Sequence, residues 1–312
     1  STQGWLPVSD DAVVFDHGDP PTQKAIFAFG YNASGAMVSL SNLVNSSGVI
    51  ADDVTGVGTA RSQLGAAGYG GDKAIFGFGQ SSSGRTAITN LVSNSGVVAS
   101  DTSGVGTVRN GIGCAKYGGD KAIFAYGSSG ATYYSLSNLV SNSGVVASDV
   151  TGVGTVRRGL GSAEYGTDKA IFGFGYLDGG PSTGITNLVS NVGVVASDVS
   201  AVGSARSYMA GAGYGTDKAI FGFGNQGGLF SATNLVSNSG VVASDVTGVG
   251  TARQHLAATP YGGDKAIFGY GTTASMVSMS NLVNSSGVVA TDVTGVGTAR
   301  SELAAAGFSA SA

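Results

Sequence analysis

Hydrophobic and polar positions follow a pattern along this chain that recurs about every 48 residues. The stretch YGGDKAIFGFG at 69–79 combines a charged pair, an apolar core, and glycines that alternate with an aromatic residue. Its core motif begins at positions 23, 72, 120, 168, 217 and 264, so that successive lysines are 49, 48, 48, 49 and 47 residues apart. A period of this length is typical of propellers, solenoids and repeat arrays.

Each repeat contains four short segments of strand character, which in the second copy are 73–79, 86–94, 96–101 and 108–118. The first three are rich in Ile, Val, Phe and Thr, which favour half-buried strands, and Gly96 allows a tight hairpin turn. The fourth begins with Arg, is rich in Ala and Gly, and leads through a Tyr-Gly turn into the next KAIF segment. We expect it to pair with that segment and to lie innermost, where strands converge and small side chains fit.

Four strands in each of six repeats predict an all-β fold, a six-bladed β-propeller of four-stranded blades. The first KAIF strand (24–30) has no Arg-led strand before it, and the last Arg-led strand (about 300–307) has no KAIF strand after it. Pairing these two closes the ring without an unpaired edge. The segment AVVF at 12–15 competes for the same place. We expect an N-terminal arm over 1–22 and the propeller over 23–312.

Composition excludes several classes of partner. Charged residues make up only 11% of the 312 residues and the net charge is −4, so no basic field is available for nucleic acid or anionic membranes. No apolar run of about 18 residues predicts membrane insertion, and Ser1 to Asp10 does not read as a signal peptide. The single cysteine, Cys114, replaces small residues of the other repeats, which favours a buried position over a reactive thiol.

Most of the charge is periodic. Each repeat carries a Lys in its KAIF segment, an Arg before its fourth segment, and an Asp after GVVAS, and five repeats add an Asp before the Lys. These groups are either a ring of ligand sites or structural ion pairs and hydrogen bonds within and between blades. We favour the structural interpretation, because catalysis needs one constellation of unlike groups and not six near-identical copies. The arginines are Arg61, Arg109, Arg157, Arg206, Arg253 and Arg300.

The motifs of enzymes and metal sites are weak in this sequence. His17 and His255 have no Cys or His partner at metal-ligand spacing, and SDVTG offers one carboxylate where a calcium loop needs several oxygen ligands. We expect the Asp of SDVTG to form a turn with its own backbone. GVGT lacks a helix and a Lys behind it, and no serine lies in an elbow motif. We predict no enzymatic activity, catalytic residue, cofactor or metal.

The repeats differ most between the KAIF and NLV segments. Strand order places these variable loops on the same face as the TGVGTAR crossovers, with the Asn-Ser-Gly and Tyr-Gly turns on the opposite face. Tyr among Ser and Gly on a rigid scaffold is typical of adaptable binding surfaces, although neutral drift in unconstrained loops is an equal alternative. The candidate ligand-binding residues are Tyr31, Tyr133, Tyr134, Tyr176, Leu177, Phe230 and Met276.

The segment RSQLGAAGYGGDKAIFGFG at 61–79, with the variable loop and crossover that follow, resembles the kelch repeat, and the resemblance extends over roughly 24–307. The usual Gly-Gly is replaced by Gly-Phe-Gly or Gly-Tyr-Gly, and the kelch tryptophan is absent, since Trp5 is the only tryptophan. The resemblance implies a propeller used for binding. Galactose-oxidase-type propellers are similar too, but their copper-binding Tyr and His residues and their Tyr-Cys pair have no match here.

The near-identical repeats GYGGDKAIFGFG and TNLVSNSGVVA are also similar to those of kelch-like proteins encoded by bacteriophages, notably virion or tail-associated proteins. This resemblance implies a structural or adhesion module at the virion surface, a decoration or fibre protein. Residues 1–22 would attach it to other virion proteins, and the variable-loop face would bind a host-surface glycan. The alternative is a soluble lectin-like or protein-interaction propeller that is not associated with a virion. The oligomeric state, a homo-oligomer included, is left open.

Overall fold

The structure is a computed structural model that describes residues 22–200 and 202–312. Within these ranges every regular element is a β-strand, and no helix has the length and apolarity to cross a bilayer. The predicted all-β class is confirmed, and the arrangement of small antiparallel sheets is β-propeller-like. The expected arm lies outside the described residues, except for Thr22.

The strands fall into four groups. The central strands carry the KAIF motif: β1 (Lys24–Ala28), β5 (Lys73–Gly77), β10 (Lys121–Ala125), β14 (Lys169–Gly173), β18 (Lys218–Gly222) and β21 (Lys265–Gly269). The outer strands carry NLV: β3 (Ser41–Val44), β8 (Thr89–Val92), β11 (Ser137–Val140), β16 (Thr186–Val189), β19 (Thr233–Val236) and β22 (Ser280–Val283). The inner strands are β4 (Gly65–Tyr69), β9 (Gly113–Tyr117), β13 (Gly161–Tyr165), β17 (Ala210–Tyr214), β20 (Ala257–Tyr261) and β24 (Ala304–Phe308). The short strands are β2 (Tyr31–Asn32), β6 (Gln80–Ser81), β7 (Gly84–Arg85), β12 (Arg157–Arg158), β15 (Tyr176–Leu177) and β23 (Arg300–Ser301).

Each three-stranded sheet of the described residues has the antiparallel order inner, central, outer, as in β4-β5-β8. The sheet that contains β1 takes its inner strand from the C-terminal end of the chain, because β24 pairs with β1 from Lys24 opposite Phe308 to Ala28 opposite Ala304. β3 pairs along the other edge of β1. The competing segment at 12–15 lies outside the described residues, and both edges of β1 are already occupied.

The inner strands are neighbours of one another across the sheets. β4 contacts β9 and β24, β13 contacts β9 and β17, and β20 contacts β17 and β24. Cavities of about 130 and 50 Å³ lie along the channel that these strands share. Small side chains line both cavities, as the Ala- and Gly-rich composition of the fourth segment predicted: Ala66, Cys114, Ser162, Gly211, Ala258 and Ala305.

The GVVASD segment is not a regular fourth strand. In the first repeat the segment reads GVIADDV at 48–54, and it bridges the outer strand at only two positions, Val44 with Ile50 and Ser41 with Val54. Two residues of the outer strand and three of the edge segment lie between these bridges, so the edge segment has one extra residue, as in a β-bulge. The Asn42 side chain fills the gap by donating to the Ala51 carbonyl at 3.0 Å. A side-chain amide therefore replaces one step of the main-chain ladder, and the same two-bridge pattern recurs in every sheet.

The hydrophobic core lies between successive sheets. The Ala, Ile and Phe residues of each central strand are fully buried, because both faces of the strand pack against neighbouring sheets. Aromatic pairs join each sheet to the next, and Phe27 with Tyr270, at 5.3 Å between ring centroids, joins the β1 sheet to the β21 sheet. The other pairs are Phe29–Phe76, Phe78–Phe124, Tyr126–Phe172, Phe174–Phe221 and Phe223–Phe268.

Candidate functional site

Each sheet buries the arginine that precedes its inner strand. Arg109 has no exposed surface and donates from Nη2 to Asn138 Oδ1 at 2.7 Å and from Nε to the Tyr126 carbonyl at 2.9 Å. Its guanidinium lies over the Phe78 ring of the preceding sheet, 4.8 Å from the centroid. These arginines are therefore held in structural contacts within and between sheets, which agrees with the interpretation favoured from the sequence.

The aspartate that follows GVVAS completes this network. Asp149 lies 3.4 Å from Arg109 Nη1 and accepts from both the N–H (3.0 Å) and the hydroxyl (2.6 Å) of Thr107 in the preceding crossover. The prediction that this Asp bonds its own turn is wrong, because its carboxylate reaches the chain segment that leads into the inner strand. Burial raises the pKa of Asp149, but hydrogen bonds from Thr107 and Asn138 and the charge of Arg109 lower it below its ordinary value.

The Gly-aromatic-Gly sequence at the end of the central strand is explained by the local backbone conformation. Phe78 has a left-handed backbone, with φ of 63°, and Gly79 follows with φ of 102°. A methyl group on Gly79 would lie 2.7 Å from the Ser62 carbonyl oxygen, so a side chain does not fit there. The two residues turn the chain out of the sheet and leave the Phe78 ring beneath Arg109.

The variable loops fold as small hairpins on one face of the molecule, which we call the loop face. The first residue of each hairpin pairs with the residue that follows the buried arginine of the same sheet, as Tyr176 does with Arg158 and Ser128 with Asn110. The second half of the hairpin reaches the next sheet, where Arg85 Nε donates to Asn110 Oδ1 at 3.3 Å. Main-chain pairing thus fixes the position of each hairpin, although the side chains differ from one hairpin to the next.

Four of the predicted ligand-binding residues have a close neighbour, which is an arginine for three of them and a serine for Tyr134. The Arg158 guanidinium lies over the Tyr133 ring at 5.3 Å, and the Arg158 backbone pairs with Tyr176. Phe230 lies 5.6 Å from the buried Arg206 guanidinium, and the Tyr134 hydroxyl lies 3.0 Å from Ser129 Oγ. Tyr133 and Tyr176 are therefore both neighbours of Arg158, Tyr133 through its ring and Tyr176 through its backbone. Tyr134, in the same hairpin as Tyr133, and Phe230 have other neighbours.

The other three predicted residues are spread around the loop face. Tyr31 pairs with Ser301, Leu177 pairs with Arg157, and Met276 forms a bridge with Thr272. All seven predicted residues are half-buried. They occupy five hairpins and do not form one cluster.

The channel opens on the loop face through a ring of six equivalent residues, two positions after each buried arginine. Their φ values lie between 52 and 62°, and each N–H donates to the carbonyl of its neighbour at 2.7 to 2.9 Å. The hydrogen bonds run from Gln63 to Glu302, from Glu302 to His255, and so on around the channel until they return to Gln63. We call these the mouth residues: Gln63, Gly111, Gly159, Tyr208, His255 and Glu302.

The side chains of the mouth are unlike one another. Tyr208 and His255 stack with their ring centroids 4.2 Å apart, and His255 Nδ1 lies 3.9 Å from Glu302 Oε1. The Tyr208 ring lies over Gly159, where a methyl group would come within 2.7 Å of it. The His255 and Glu302 side chains are 18% and 22% exposed, so solvent reaches both.

Burial shifts the pKa values of two mouth residues. Burial lowers the pKa of the His255 imidazole below its ordinary value, the charge of Glu302 raises it by less, and the charge of Arg158 adds a smaller lowering, so burial favours the neutral imidazole. Burial also raises the pKa of Tyr208, against the opposing charge of Arg158. The Tyr208 hydroxyl therefore keeps its proton and can donate a hydrogen bond at neutral pH.

Sequence reasoning missed the mouth residues and Arg158. Twelve of the fifteen basic residues follow the repeat, and Arg158 is one of the three that do not, with Arg85 and Lys116. Glu302 is one of only two glutamates. The repeats differ from one another at the positions one and two residues after the buried arginine, and this difference could have identified these residues.

The opposite face, which we call the turn face, carries the repeated Asp-Lys pairs. Lys73 Nζ lies 2.6 Å from Asp72, whose other oxygen accepts from Asn94 at 3.1 Å. Such half-exposed pairs contribute little to stability. Among residues 22–200 and 202–312, no cluster of His, Cys, Asp or Glu is placed to hold a metal ion.

Comparison with known proteins reveals similar solved structures but no family. No protein-family model and no curated protein matches the chain. A solved structure described as "Structure of YjhT" is similar, with a TM-score of 0.61 and 12% identity, over 87% of this chain and 98% of that chain. At this identity the likeness concerns the fold alone, and it agrees with a β-propeller-like architecture.

Proposed function

We propose that residues 23–312 form a closed six-bladed β-propeller whose loop face binds a glycan without catalysing a reaction. Three sets of contacts support closure: the pairing of β24 with β1, the cycle of hydrogen bonds at the mouth, and the aromatic pair Phe27–Tyr270. The first has its counterpart within every other sheet, as in the pairing of β4 with β5. The other two have counterparts between neighbouring sheets.

One observation carries the binding function. The scaffold contacts of Arg109, Asn138, Asp149 and Thr107 recur from sheet to sheet, whereas the side chains of the hairpins and the mouth differ. Variable side chains on a fixed backbone are the arrangement that binding surfaces use. Half-buried tyrosines among Ser, Gly and Asn supply aromatic faces and hydrogen bonds of the kind that sugars require.

The position of Thr22 suggests how the loop face would be displayed. Thr22 accepts a hydrogen bond from Gly263 N–H at 2.9 Å and lines a cavity of about 360 Å³ on the turn face. We propose that residues 1–22 attach the propeller to other virion proteins from this side, so that the loop face is presented outward to a host surface. The virion assignment itself rests on the resemblance of the repeats.

A glycan array with purified protein tests the binding function. We expect binding to at least one glycan, a loss of at least tenfold in Tyr133→Ala, and no chemical change in the bound glycan by mass spectrometry. Lys73→Ala on the turn face is the matched control and should bind as the wild type does. An array without any bound glycan would contradict the proposed function.

Purified virus particles test the location. We expect the chain to be found in the particles, and we expect a variant without residues 1–21 to fold but not to assemble into them. If the wild-type chain is absent from the particles but still binds glycans, the lectin-like or protein-interaction alternative is favoured.

A further inference from the structure

Arg158 is a cation for which the fold supplies no anion. The buried arginines have an aspartate nearby, such as Asp149 at 3.4 Å from Arg109. Among the described residues no carboxylate lies within ion-pair distance of Arg158, and its Nε is buried without a hydrogen-bond partner. A buried donor without an acceptor costs free energy. The Nε atoms of Arg61 and Arg300 are unpaired as well, but Asp101 and Asp53 lie 3.6 and 3.4 Å from their guanidinium groups. The missing carboxylate therefore distinguishes Arg158 from these two, and it leaves its charge for an anion supplied from outside.

The surroundings of Arg158 hold it at the rim of the mouth. Its backbone is paired with Tyr176 in β12 and β15, and its guanidinium rests on the Tyr133 ring. Its side chain lies over Gly111, where a methyl group would be 3.2 Å from Arg158 Cβ. The side chain is therefore positioned by an aromatic ring on one side and by the absence of a side chain on the other.

Hydrogen-bond donors accompany this cation. Three tyrosines are neighbours of Arg158: Tyr133 through its ring, Tyr176 through its backbone, and Tyr208 through the charge of Arg158. A protonated phenol can donate a hydrogen bond to an anionic oxygen. A planar guanidinium with neighbouring hydroxyls matches the oxygens of a carboxylate or a sulfate, which accept two parallel hydrogen bonds from one guanidinium.

The far side of the mouth carries a carboxylate, where the side at Arg158 carries a cation. Beyond Tyr208 the ring continues with His255 and then Glu302, whose carboxylate accepts hydrogen bonds and repels anions. A ligand that carries an anion at one end and hydroxyls at the other complements this order, with the anion at Arg158 and the hydroxyls at Glu302.

We propose that Arg158 forms an anion subsite at the mouth of the channel and that its ligand is a sugar carrying a carboxylate or a sulfate. The subsite deepens the proposed glycan-binding function and rests on it. Tyr133 and Tyr176 are its positioning residues, and Glu302 orients the hydroxyl end of the sugar.

Three monosaccharides test the subsite: galacturonate, galactose 6-sulfate and galactose, which differ in the group at one carbon. The readout is the imidazole NMR signal of His255, which is simple to assign because the chain has only one other histidine, His17. We expect the two acidic sugars to shift this signal with at least tenfold lower half-saturation concentrations than galactose. A response to one acid alone identifies the anion as carboxylate or sulfate.

Two arginine variants make the test specific. Arg158→Gln should abolish the preference for acidic sugars and leave the galactose response unchanged. Arg85→Gln removes the same charge from a neighbouring hairpin of the loop face and should keep the preference. Equal affinities for acidic and neutral sugars in the wild type, an unchanged preference in Arg158→Gln, or an equal loss in Arg85→Gln would overturn the subsite.

The array separates the two proposals. Neutral glycans bound on the array, without a preference for acidic sugars at His255, would overturn the subsite alone. An empty array, with His255 shifted through Arg158 by inorganic sulfate but by none of the three sugars, would overturn the glycan-binding function and leave an anion site without a sugar.

Discussion

Thr298 donates its N–H at 3.0 Å and its hydroxyl at 2.5 Å to the carboxylate of Asp53, which lies 245 residues earlier in the chain. Thr107 and Asp149, only 42 residues apart, make the same contact. The junction between the two ends of the chain is therefore built like the junctions within it.

Asp53→Ala and Asp149→Ala should be equally destabilising. Each removes the acceptor of several hydrogen bonds from partly buried donors, so we expect each to lower the free energy of unfolding by about 2 kcal/mol. Urea unfolding followed by circular dichroism measures both values. A cost for Asp53→Ala of less than half that for Asp149→Ala would argue that the terminal junction is not formed like the others.

Replacing a buried arginine should be far more costly than replacing an exposed lysine. Arg109→Met removes the cation that Asn138 Oδ1 and Asp149 face, and we expect a loss of about 3–5 kcal/mol. Lys73→Met removes a half-exposed charge and should leave the urea midpoint unchanged within error. Comparable midpoints for the two variants would show that the arginines do not hold the sheets together.

The protein should lose stability in acid. Burial raises the pKa of Asp101, but hydrogen bonds from Thr59 and Asn90 and the charge of Arg61 lower it below the ordinary value, and five equivalent aspartates behave alike. Since an unfolded aspartate titrates near about 3.9, this stabilisation is complete above that pH and is lost as the pH falls through the lower folded values.

Urea unfolding at intervals from pH 6 to pH 3 checks the acid response. We expect a nearly constant free energy down to about pH 4 and a steep fall below it. Asp101→Asn removes one titrating group and should make the fall shallower. A flat profile to pH 3 would contradict the lowered pKa values.

Gly159→Ala should disturb the mouth as well as the backbone. Gly159 has φ of 60°, and an added methyl would meet the Tyr208 ring at 2.7 Å, so the stack of Tyr208 on His255 must move. Gly227→Ala is the matched control, because Gly227 has φ of 77° and open space around its Cα. The backbone cost, about 1 kcal/mol, should be shared by both variants. Only Gly159→Ala should shift the His255 imidazole signal, and a shift of equal size in Gly227→Ala would contradict the clash.

Cys114 should be inert until the protein unfolds. Burial raises the pKa of its thiol well above the ordinary value, and the thiolate is the reactive form. A disulfide reagent such as DTNB should titrate no thiol in the native protein within an hour and one thiol in concentrated urea. Rapid labelling under native conditions would mean that the inner strands open readily.

The repeat predicted much of the fold because each segment carries its own pattern. The KAIF motif is buried on both faces, and the phase of the repeats pointed to the pairing of the last inner strand with β1. The bulged edge segment was not predicted, because its geometry depends on the Asn42 side chain donating to the Ala51 carbonyl. A side chain that substitutes for a main-chain partner leaves no trace in hydrophobic periodicity.

The candidate site was predicted only at its periphery. Tyr133 and Tyr176 stood out because aromatic residues in polar loops are conspicuous, and both lie at Arg158. His255 was considered only as a metal ligand, since its neighbours in space, Tyr208 and Glu302, are about one repeat away in sequence. Contacts between equivalent positions of successive repeats become visible only when the repeats are arranged around a common axis.

The hydrogen-bonded mouth has a consequence for how such a protein can change. Its six backbone positions are fixed by main-chain atoms alone, and they already accommodate Gln, Gly, Tyr, His and Glu. The side chains at Gln63, Tyr208, His255 and Glu302 can therefore be exchanged without rebuilding the frame that carries them, whereas Tyr208 and Arg158 restrict Gly159 and Gly111 to a residue without a side chain. One scaffold can display many combinations at these four positions, which makes the mouth a natural starting point both for divergent evolution of specificity and for combinatorial design.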